Sequence, residues 1–434
     1  MMRLMLINPP SPAGATINRE GAAGFGNRYA SAGAFLYPPQ TLATCAAVLR
    51  QAGHAPALLD ATAEQWSVET TLERVAAGNP QAAVALLSWA GWPEDIAFCR
   101  ALRAAQPALP LIVIGSVLRQ PEYVAQAAAI SDLALIGEPE RALPAAIEAA
   151  RRQDGPGRSA PAQSLAPADY DADGYLTDLE SLPLPAWDLA PVGRYRMLTL
   201  LSSRGCPQRC TYCPYVIGWG PRFRAASPAR VVAELAWLAE TFRPARLMFR
   251  DPVFAHDRAR VVGMCEAIAA RRLRLSWECE SRPEHFDPEL LRLMRDAGCA
   301  TVKIGLESGA PQRLVQVGRV PDIEAARAYL QRTAEVVAAC RRIGLRAHIF
   351  VMVGWPGADA AEEQTTEDFV RRLRPEHLTV KAVEAYPGTA WTRAGAPADA
   401  AAAARQSARL RALASGRPRP AWRQVWGRLR RMLR

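Results

Sequence analysis

The chain has 434 residues, of which 50% are hydrophobic and 22% charged, a composition that excludes a disordered chain and gives room for two or three domains. Its net charge is +11, but residues 393–434 hold eleven Arg and one Asp, or +10, which leaves +1 for the rest. A neutral body argues against a groove that follows nucleic-acid phosphates, so no nucleic-acid partner is expected. The sequence has no apolar run long enough to span a membrane, and nine Cys without a signal peptide indicate a reducing, cytoplasmic location.

Residues 1–150 alternate short apolar runs with helical periods. The runs are LMLIN, APALLDA, AAVALLS, LIVIG and LALIGE. Such runs are typical of buried parallel strands, so the pattern predicts a doubly wound, Rossmann-like α/β sheet. Ligands of these sheets bind at the carboxyl ends of the strands. The residues found there are small or polar, although an ordinary turn explains each one singly: Asn8, Pro9, Ser88, Trp89, Gly115, Ser116, Gly137 and Glu138.

Three further segments follow along the chain. Residues 151–192 are rich in Pro, Gly, Ala and Asp without a period, which predicts a linker. Residues 193–392 resume the alternation with six strand and helix units, which predicts a partial (β/α)6 barrel with its chemistry on the loops after the strands. Residues 393–434 form a basic tail that is predicted to be helical.

Three cysteines follow the first barrel strand in a C-x3-C-x2-C run, Cys206, Cys210 and Cys213. Three thiolates on one short loop bind three irons of a cubane cluster and leave the fourth iron open, whereas a structural zinc normally takes a fourth protein ligand. A degenerate zinc knuckle is the alternative interpretation. The other six cysteines are scattered through predicted strands and helices, where small core residues are common.

With Tyr212 before the last cysteine, this run resembles the C-x3-C-x-aromatic-C hallmark of the radical S-adenosylmethionine (SAM) enzymes. The resemblance implies a [4Fe-4S] cluster whose open iron chelates the amino and carboxyl groups of SAM. It also implies an external low-potential reductant of the flavodoxin or ferredoxin type. The similarity covers nearly the whole chain and looks like the subgroup with an N-terminal cobalamin-binding domain.

The resemblance also implies which residues contact SAM. Asp251 stands where the family shows an acidic pair, although Arg250 departs from that pattern. A guanidinium such as that of Arg282 suits the SAM carboxylate. A salt-bridge network on the barrel rim is the alternative for the charged members. The implied set is Tyr212, Asp251, Glu280, Arg282, Glu307, Ser308 and Gly354.

In the first domain the resemblance joins the residues at the strand ends into one cobalamin site. No Asp-x-His-x-x-Gly motif is present, so the corrinoid is expected to be base-off without a histidine ligand. Trp89 and Trp92 are expected to wall its lower face, or else to pack as ordinary apolar side chains. The implied set is Asn8, Pro9, Pro39, Ser88, Trp89, Gly115, Ser116, Gly137 and Glu138.

The function that the resemblance implies is cobalamin-dependent C-methylation of an unactivated carbon in a small-molecule or lipid-like substrate. Cyclisation, ring contraction or oxidation with the same cofactors is the alternative, and the sequence does not decide between them. A corrinoid-binding sensor with a passive barrel is disfavoured, because the three cysteines would then have no function. Methylthiolating relatives that act on nucleic acid carry further N-terminal cysteines and a terminal RNA-binding domain that this sequence lacks.

Two smaller features remain. The tail places Trp422, Trp426 and Leu429 on one helical face and Arg on the other, which predicts peripheral contact with the inner face of the membrane or, alternatively, packing on the barrel. Lys303 and Lys381 are the only lysines. Lys303 is predicted to face the barrel lumen, where it contacts substrate or SAM, or pairs with Glu307.

Overall fold

The computed structural model describes residues 1–31, 33–152, 157–393 and 400–415. Its N-terminal part is built on six strands: β1 (Arg3–Asn8), β4 (Ala55–Asp60), β5 (Ala82–Leu86), β6 (Leu111–Ile114), β7 (Leu133–Ile136) and β8 (Ser159–Pro161). They lie in the order β4-β1-β5-β6-β7-β8, and every pairing is parallel. The helices of this part are α1 (Gln40–Gln51), α2 (Ala61–Glu64), α3 (Val68–Gly78), α4 (Trp92–Ala105), α5 (Pro121–Ala128), α6 (Leu143–Arg151) and α7 (Ala162–Leu165).

Both faces of this sheet are buried. Along β1, Leu4 and Leu6 join one hydrophobic core, while Met5 and Ile7 join the core on the opposite face. Successive side chains of a strand point to opposite faces, so a strand that is apolar throughout is stable only when helices cover both sides. The prediction of a doubly wound α/β sheet is therefore confirmed.

Two parts of this region lay outside the sequence prediction. Strand β8 comes from the segment predicted to be a linker, and its three residues include Pro161, which an edge strand tolerates because the missing N–H is not needed there. The long connection between β1 and α1 contains an antiparallel hairpin of β2 (Thr16–Asn18) and β3 (Asn27–Tyr29). Neither element has an apolar period long enough to identify it. The predicted domain boundaries stay a prediction.

The second sheet is the predicted half-barrel. Its strands are β9 (Leu198–Leu200), β12 (Leu247–Phe249), β13 (Trp277–Ser281), β14 (Cys299–Glu307), β15 (Arg346–Val353) and β16 (His377–Ala382). All pairings are parallel, in the order β16-β15-β14-β13-β12-β9. Two short strands, β10 (Ser203–Arg204) and β11 (Arg224–Ala225), pair with each other after β9.

The helices of this part are α8 (Tyr215–Gly218), α9 (Pro228–Thr241), α10 (Arg258–Ala270), α11 (Pro288–Asp296), α12 (Pro311–Gln316), α13 (Ile323–Ile343), α14 (Ala360–Leu373), α15 (Ala390–Arg393) and α16 (Ala400–Ser415). Five of them, α9, α10, α11, α13 and α14, begin at a capping side chain that accepts a hydrogen bond from the N–H of the third residue of the helix. The caps are Ser227, Asp257, Asp287, Asp322 and Asp359. Each cap contributes about 1 kcal/mol and fixes where the loop after a strand ends.

Buried polar contacts join the two sheets. The Arg250 guanidinium pairs with Glu20 at 2.8 Å, and both side chains are almost fully buried. Arg204 pairs with Glu140 at 2.6 Å, and Asn27 donates to the Tyr386 hydroxyl at 3.1 Å. The carboxyl edges of the two sheets therefore face each other. Within the part of the chain that the structure describes, no helix is long and apolar enough to cross a membrane.

Candidate active site

The cysteine loop, residues 205–214, lies at the carboxyl edge of the barrel directly after β10. Cys206 and Cys210 are buried, Cys213 is half-buried, and all three are free thiols. Thr211 anchors the loop, because its N–H donates to the Val317 carbonyl at 2.9 Å and its carbonyl accepts from the Trp391 N–H at 3.0 Å. Burial raises the pKa of the Cys206 thiol. Metal binding must therefore displace a proton from this thiol.

Gly205 sets the path of the chain into this loop. Its φ is +81°, and a Cβ atom there would lie 1.9 Å from the Arg222 carbonyl oxygen. Neither the conformation nor the contact tolerates a side chain, so only glycine can bring the backbone this close to residues 220–222. The Cys206 N–H then donates to the Gly220 carbonyl at 3.0 Å.

The three cysteines line a cavity of about 590 Å³ inside the barrel. Residues of the first domain close its upper side, among them Asn27, Tyr29 and Tyr37. Across residues 1–31, 33–152, 157–393 and 400–415, no three His, Cys, Asp or Glu side chains are grouped to hold a single metal ion. In a cubane cluster, each of three irons takes one thiolate.

Glu307 and Arg319 lie together beside Cys210. The Arg319 guanidinium is 3.8 Å from Cys210 Sγ and 3.7 Å from Glu307 Oε1, and it donates to the Gly305 carbonyl at 2.8 Å. Glu307 ends β14 with φ at +65°, a conformation that costs a residue with a side chain about 1–3 kcal/mol and that clusters at functional sites. Arg319 was not predicted, because it is one of many Arg in this chain and lies on a loop without a motif.

Arg282 and Glu280 also line the cavity. The Arg282 guanidinium donates to the Arg319 carbonyl at 2.9 Å and pairs with Glu284 at 2.5 Å, while its buried Nη1 has no hydrogen-bond partner within the described residues. Burial raises the pKa of Glu280, against the opposing effect of Lys303 and Lys381. A guanidinium and a carboxylate that line the same cavity can bind a zwitterionic ligand.

Tyr212 packs under the cysteine loop. Its ring meets Trp355 edge to face with 5.4 Å between centroids, and Trp355 meets Trp391 in the same way at 5.4 Å. The Tyr212 hydroxyl is buried and has no hydrogen-bond partner in the described part of the chain. An unpaired buried polar atom is costly, so this hydroxyl is a natural contact for a ligand in the cavity.

Three of the predicted SAM residues lie outside the lining of this cavity. Asp251 accepts from the Ser202 N–H at 2.9 Å and from the hydroxyls of Ser202 and Ser203, so its carboxylate links β12 to the strand ends beside it. The Ser308 hydroxyl lies 3.1 Å from that of Thr366 on α14. Gly354 has φ at +76° and follows β15. The structure brings four of the predicted residues together around the cysteines, namely Tyr212, Glu280, Arg282 and Glu307. Asp251, Ser308 and Gly354 do not line the cavity.

Lys303 faces the lumen, as predicted from strand parity. Its ammonium pairs with Glu278 at 2.5 Å rather than with Glu307. Lys381, His348, His377 and Arg346 line the same cavity. The lower part of the barrel is therefore strongly polar.

At the carboxyl edge of the first sheet, four of the predicted cobalamin residues surround a small cavity of about 40 Å³, namely Gly115, Ser116, Gly137 and Glu138. A Cβ atom on Gly115 would lie 2.1 Å from the Leu87 carbonyl. Glu138 accepts from the Leu176 N–H at 2.7 Å and pairs with Arg224 at 2.9 Å. Burial disfavours its charged form, but Arg204 and Arg224 outweigh this and lower the pKa of Glu138.

Three more of the predicted cobalamin residues, Asn8, Pro9 and Ser88, lie around a buried arginine. Arg19 is fully buried, pairs with Asp95 at 2.6 Å, and donates to Asn8 at 3.1 Å and to the Pro9 carbonyl at 2.7 Å. The Ser88 N–H donates to Asp95 at 2.8 Å. Two other predicted residues stand apart from this network: Pro39 precedes α1, and the Trp89 ring lies 5.0 Å from that of Tyr386.

Residues 20–26, here called the cover, lie over these strand ends. A Cβ atom on Gly24 would lie 2.6 Å from Ser116 Oγ, and one on Gly26 would lie 3.1 Å from the Ser88 Cβ. Ala22 and Ala23 have φ at +47° and +56°, a conformation that is strained for alanine. A space of about 40 Å³ holds little more than one water molecule. With the cover in this position, the strand ends do not hold a corrin ring.

Comparisons with known proteins agree with this architecture. Residues 200–370 match the model of the Radical SAM superfamily. An uncharacterised methyltransferase of Pyrococcus horikoshii is 27% identical over 221 residues, which are 49% of this chain and 46% of that protein. The anaerobic magnesium-protoporphyrin IX monomethyl ester cyclase of Synechocystis is 27% identical over 335 residues, 71% of this chain and 61% of that protein. The chain spans about half the length of the curated relatives it matches.

Among solved structures, the radical SAM methyltransferase TsrM of Kitasatospora setae with cobalamin and a [4Fe-4S] cluster bound has a TM-score of 0.65 at 17% identity, over 90% of this chain and 74% of that one. At this identity the match shows the fold. The chain therefore carries a radical SAM domain. Its two sheets together have the same fold as TsrM.

Proposed function

We propose that the chain is a cobalamin-dependent radical SAM enzyme that methylates an unactivated carbon of a small-molecule substrate. The observation that carries the proposal is the cysteine loop, which presents three free thiols to a cavity lined by carboxylates and guanidiniums. The methyltransferase relative and the fold of TsrM support the same assignment.

The residues at the barrel edge fit a cluster and SAM. Cys206, Cys210 and Cys213 would hold a [4Fe-4S] cluster, which supplies the electron that cleaves SAM. Arg282 and Arg319 suit the SAM carboxylate, since guanidiniums bind carboxylates through paired hydrogen bonds.

The remaining residues of the cavity orient the ligand and keep water away. Glu280 and Glu307 are acceptors for an ammonium and for ribose hydroxyls. The aromatic side chains Tyr29, Phe35 and Tyr37 of the first domain close the cavity from above. Enclosure of this kind strengthens every charge interaction within the site and protects a reactive species from solvent.

Cobalamin is the second proposed cofactor. With the cover in its present position, the space at the strand ends is too small for a corrin ring. For a corrin to reach Gly115 and Gly137, residues 20–26 must move. Displacement of this segment would release the strain of two alanines at positive φ, whereas it would break the buried Glu20–Arg250 pair. We therefore propose that cobalamin binds base-off after displacement of the cover.

Cyclisation without methyl transfer is the second candidate. It is favoured by the match to the Synechocystis cyclase, which extends over 71% of this chain and so includes much of both sheets. The same cavity and the same cysteines would serve either reaction. The fate of the SAM methyl group separates the two.

Two partners belong to the proposal. A low-potential donor of the flavodoxin or ferredoxin type would reduce the cluster. Peripheral membrane contact through the tail rests on Trp422, Trp426 and the Arg residues of positions 418–434, which lie outside the described residues.

The test uses SAM with a deuterated methyl group. The full-length, anaerobically reconstituted protein is supplied with hydroxocobalamin, dithionite and a small-molecule extract, and the products are analysed by mass. Methylation predicts a product that carries the labelled methyl group together with 5′-deoxyadenosine. Formation of 5′-deoxyadenosine with a substrate that changes mass but gains no label would overturn methylation in favour of cyclisation or oxidation.

A further inference from the structure

The cysteine loop is part of a longer connection whose two ends are paired. Strands β10 and β11 are antiparallel neighbours, and Arg204 at the end of β10 stands opposite Arg224 at the start of β11. Residues 205–223 run between them and carry all three cysteines. The position of the Arg204–Arg224 pair therefore determines where the cysteine loop begins and where the connection returns.

Both arginines contact the end of one strand of the first sheet. Arg224 donates to both carboxylate oxygens of Glu138, at 2.9 Å and 3.0 Å. The Arg204 Nη1 atom lies 3.5 Å from Glu138 Oε2, and its Nη2 atom donates to Glu140 at 2.6 Å. Glu138, Glu140 and Arg204 are buried, and the Arg224 side chain is 10% exposed. Since Glu138 and Glu140 follow β7, this strand end holds both ends of the connection.

The carboxylate of Glu138 is already engaged by the protein itself. Besides Arg224, it accepts from the Leu176 N–H at 2.7 Å. The Glu138 backbone carbonyl accepts from the Tyr170 hydroxyl at 2.7 Å, which fixes the main chain at the same point. These contacts direct the carboxylate at the base of the cysteine connection. A corrin contact would have to share this carboxylate with the guanidinium of Arg224.

The network is not optimised for stability. Arg204 Nε, Arg224 Nε and Glu140 Oε2 are buried and have no hydrogen-bond partner within the described residues. Unpaired buried polar atoms are costly, and apolar side chains of similar volume often stabilise a buried site as well as an ion pair does. What the charged groups add is direction, because paired hydrogen bonds fix the orientation of both partners.

A tyrosine from the segment after β8 supports the same connection. The Tyr175 hydroxyl donates to the backbone carbonyls of Val216 and Ile217, at 3.2 Å and 3.0 Å. The Arg224 guanidinium lies 5.5 Å from the centroid of the Tyr175 ring. Arg224 is thus held between Glu138 and Tyr175, which restricts its orientation.

We propose that Glu138 and Glu140 are positioning residues for the three cysteines. Through Arg204 and Arg224 they fix the base of the cysteine loop to the carboxyl edge of the first sheet. Thr211 fixes the far part of the same loop to the barrel. The inference rests on the proposed function, because the loop and the edge are its two cofactor sites.

A fixed spacing between these two sites serves the proposed chemistry. A radical formed at the cysteines and a methyl group carried at the first sheet must reach the same carbon. A misplacement of about 1 Å costs on the order of 10²-fold in rate. None of these ion pairs involves residues 20–26, so the cover can move without breaking them.

The test measures how firmly the loop is held in the full chain as purified, before reconstitution. In the variant Glu138→Gln with Arg224→Met, both partners of the bidentate pair lose their charge. Each cysteine is alkylated with iodoacetamide and quantified by peptide mass analysis. We expect the buried Cys206 and Cys210 to react about tenfold faster than in the native chain, since one hydrogen bond to a charged group is worth this factor.

The control removes a similar pair at the other end of β7. Asp132 pairs with Arg103 and accepts from the Leu111 N–H at 2.7 Å, just as Glu138 pairs with Arg224 and accepts from a backbone N–H. The variant Arg103→Met with Asp132→Asn should be labelled at the cysteine loop as slowly as the native chain.

The buried thiols of the barrel core report unfolding within the same molecule, and they should stay unlabelled in every variant: Cys265, Cys279 and Cys299. If loop and core thiols react equally fast, the double variant has unfolded. Arg224→Lys, which keeps the charge but loses the bidentate contact, then takes its place. Unchanged labelling of Cys206 and Cys210 in a variant that remains folded would overturn the proposal.

Titration of the Glu138→Gln, Arg224→Met variant with hydroxocobalamin separates positioning from a corrin contact. Positioning predicts an unchanged affinity, together with an altered electron paramagnetic resonance spectrum of the reduced cluster after reconstitution. A corrin contact predicts an affinity about tenfold lower with unchanged labelling of the cysteines, which would overturn the proposal.

The alkylation uses neither a cluster nor cobalamin, so its failure is distinguishable from failure of the proposed function. If the native chain binds no hydroxocobalamin, the proposed function loses its second cofactor, and the alkylation alone decides whether Glu138 holds the loop.

Discussion

Both sheets of this protein are parallel and expose the carboxyl ends of their strands at one edge, and the two edges differ in how much open space they contain. Each edge belongs to a six-stranded parallel sheet, and each carries glycines at which a side chain would collide with backbone, Gly205 in the barrel and Gly115 in the first sheet. The barrel edge opens on a cavity of about 590 Å³, whereas the edge of the first sheet keeps about 40 Å³. Parallel topology thus determines where a ligand binds.

The connections between the strands determine whether that space is open. In the barrel, the cysteine loop lines the cavity and is fixed by hydrogen bonds of Thr211 to Val317 and Trp391. In the first sheet, the connection from β1 to α1 is long enough to fold back over the strand ends. The Glu20–Arg250 pair then ties the cover to the barrel.

The largest effect is expected from Gly205→Ala at the open edge. Its Cβ atom would meet the Arg222 carbonyl at 1.9 Å, so the cysteine loop must shift. A displacement of about 1 Å at a catalytic site costs on the order of 10²-fold in rate, and iron content should fall as well. Gly53→Ala is the matched control, because its φ is +80° and no atom lies within 4 Å. Equal iron content and SAM cleavage in the two variants would contradict this role of Gly205.

Arg319→Met should be the most damaging change to stability. Its removal leaves Glu307 and Tyr329 buried without their cation, and loss of one partner of a buried ion pair costs about 3–5 kcal/mol. Urea unfolding of the cluster-free protein measures this loss. Arg230→Met, which breaks the largely buried pair with Glu234 on α9, should also destabilise the fold but leave SAM affinity unchanged. If the two variants bind SAM equally well, Arg319 has no role in the cavity.

The neutral histidines predict how stability depends on pH. Burial lowers the pKa of His285 to about 4 and that of His348 to about 3. Below pH 6.5 these two histidines bind protons in the unfolded chain but not in the folded one. The free energy of unfolding therefore falls by about 1.4 kcal/mol per pH unit for each histidine until its folded pKa is reached. Denaturant unfolding between pH 7 and 4.5 checks the slope. The His285→Asn, His348→Asn double variant should flatten it, and an unchanged slope in the double variant would refute this origin.

The smallest effect concerns the covered edge. Replacing both Glu20 by Gln and Arg250 by Met removes the tie without leaving an unpaired charge. The binding-competent state then becomes more populated, so we expect hydroxocobalamin affinity to rise by about tenfold. Absorbance titration measures the affinity, and Arg28→Gln with Glu94→Gln, an exposed pair next to the cover, is the control. Identical affinities in all three proteins would show that the cover does not gate the site.

The sequence predicts the architecture better than the site. All eleven of its predicted strands are present, because each contains a continuous apolar run or an alternation of apolar residues of strand length. Strand β8 and the hairpin were missed, since three residues carry no period. Arg319 and the cover depend on contacts between distant segments, such as Arg319 with Cys210 and Glu20 with Arg250. The residue assignments for SAM and cobalamin stay predictions.

The central claim is that three thiols at the open edge hold a cluster that cleaves SAM, and one comparison tests it most directly. The full chain and the variant with Cys206, Cys210 and Cys213 all changed to Ala are reconstituted anaerobically and reduced in the presence of SAM. The account predicts about four irons per chain and 5′-deoxyadenosine from the native protein, and neither from the variant. Continued formation of 5′-deoxyadenosine by the triple variant would contradict it.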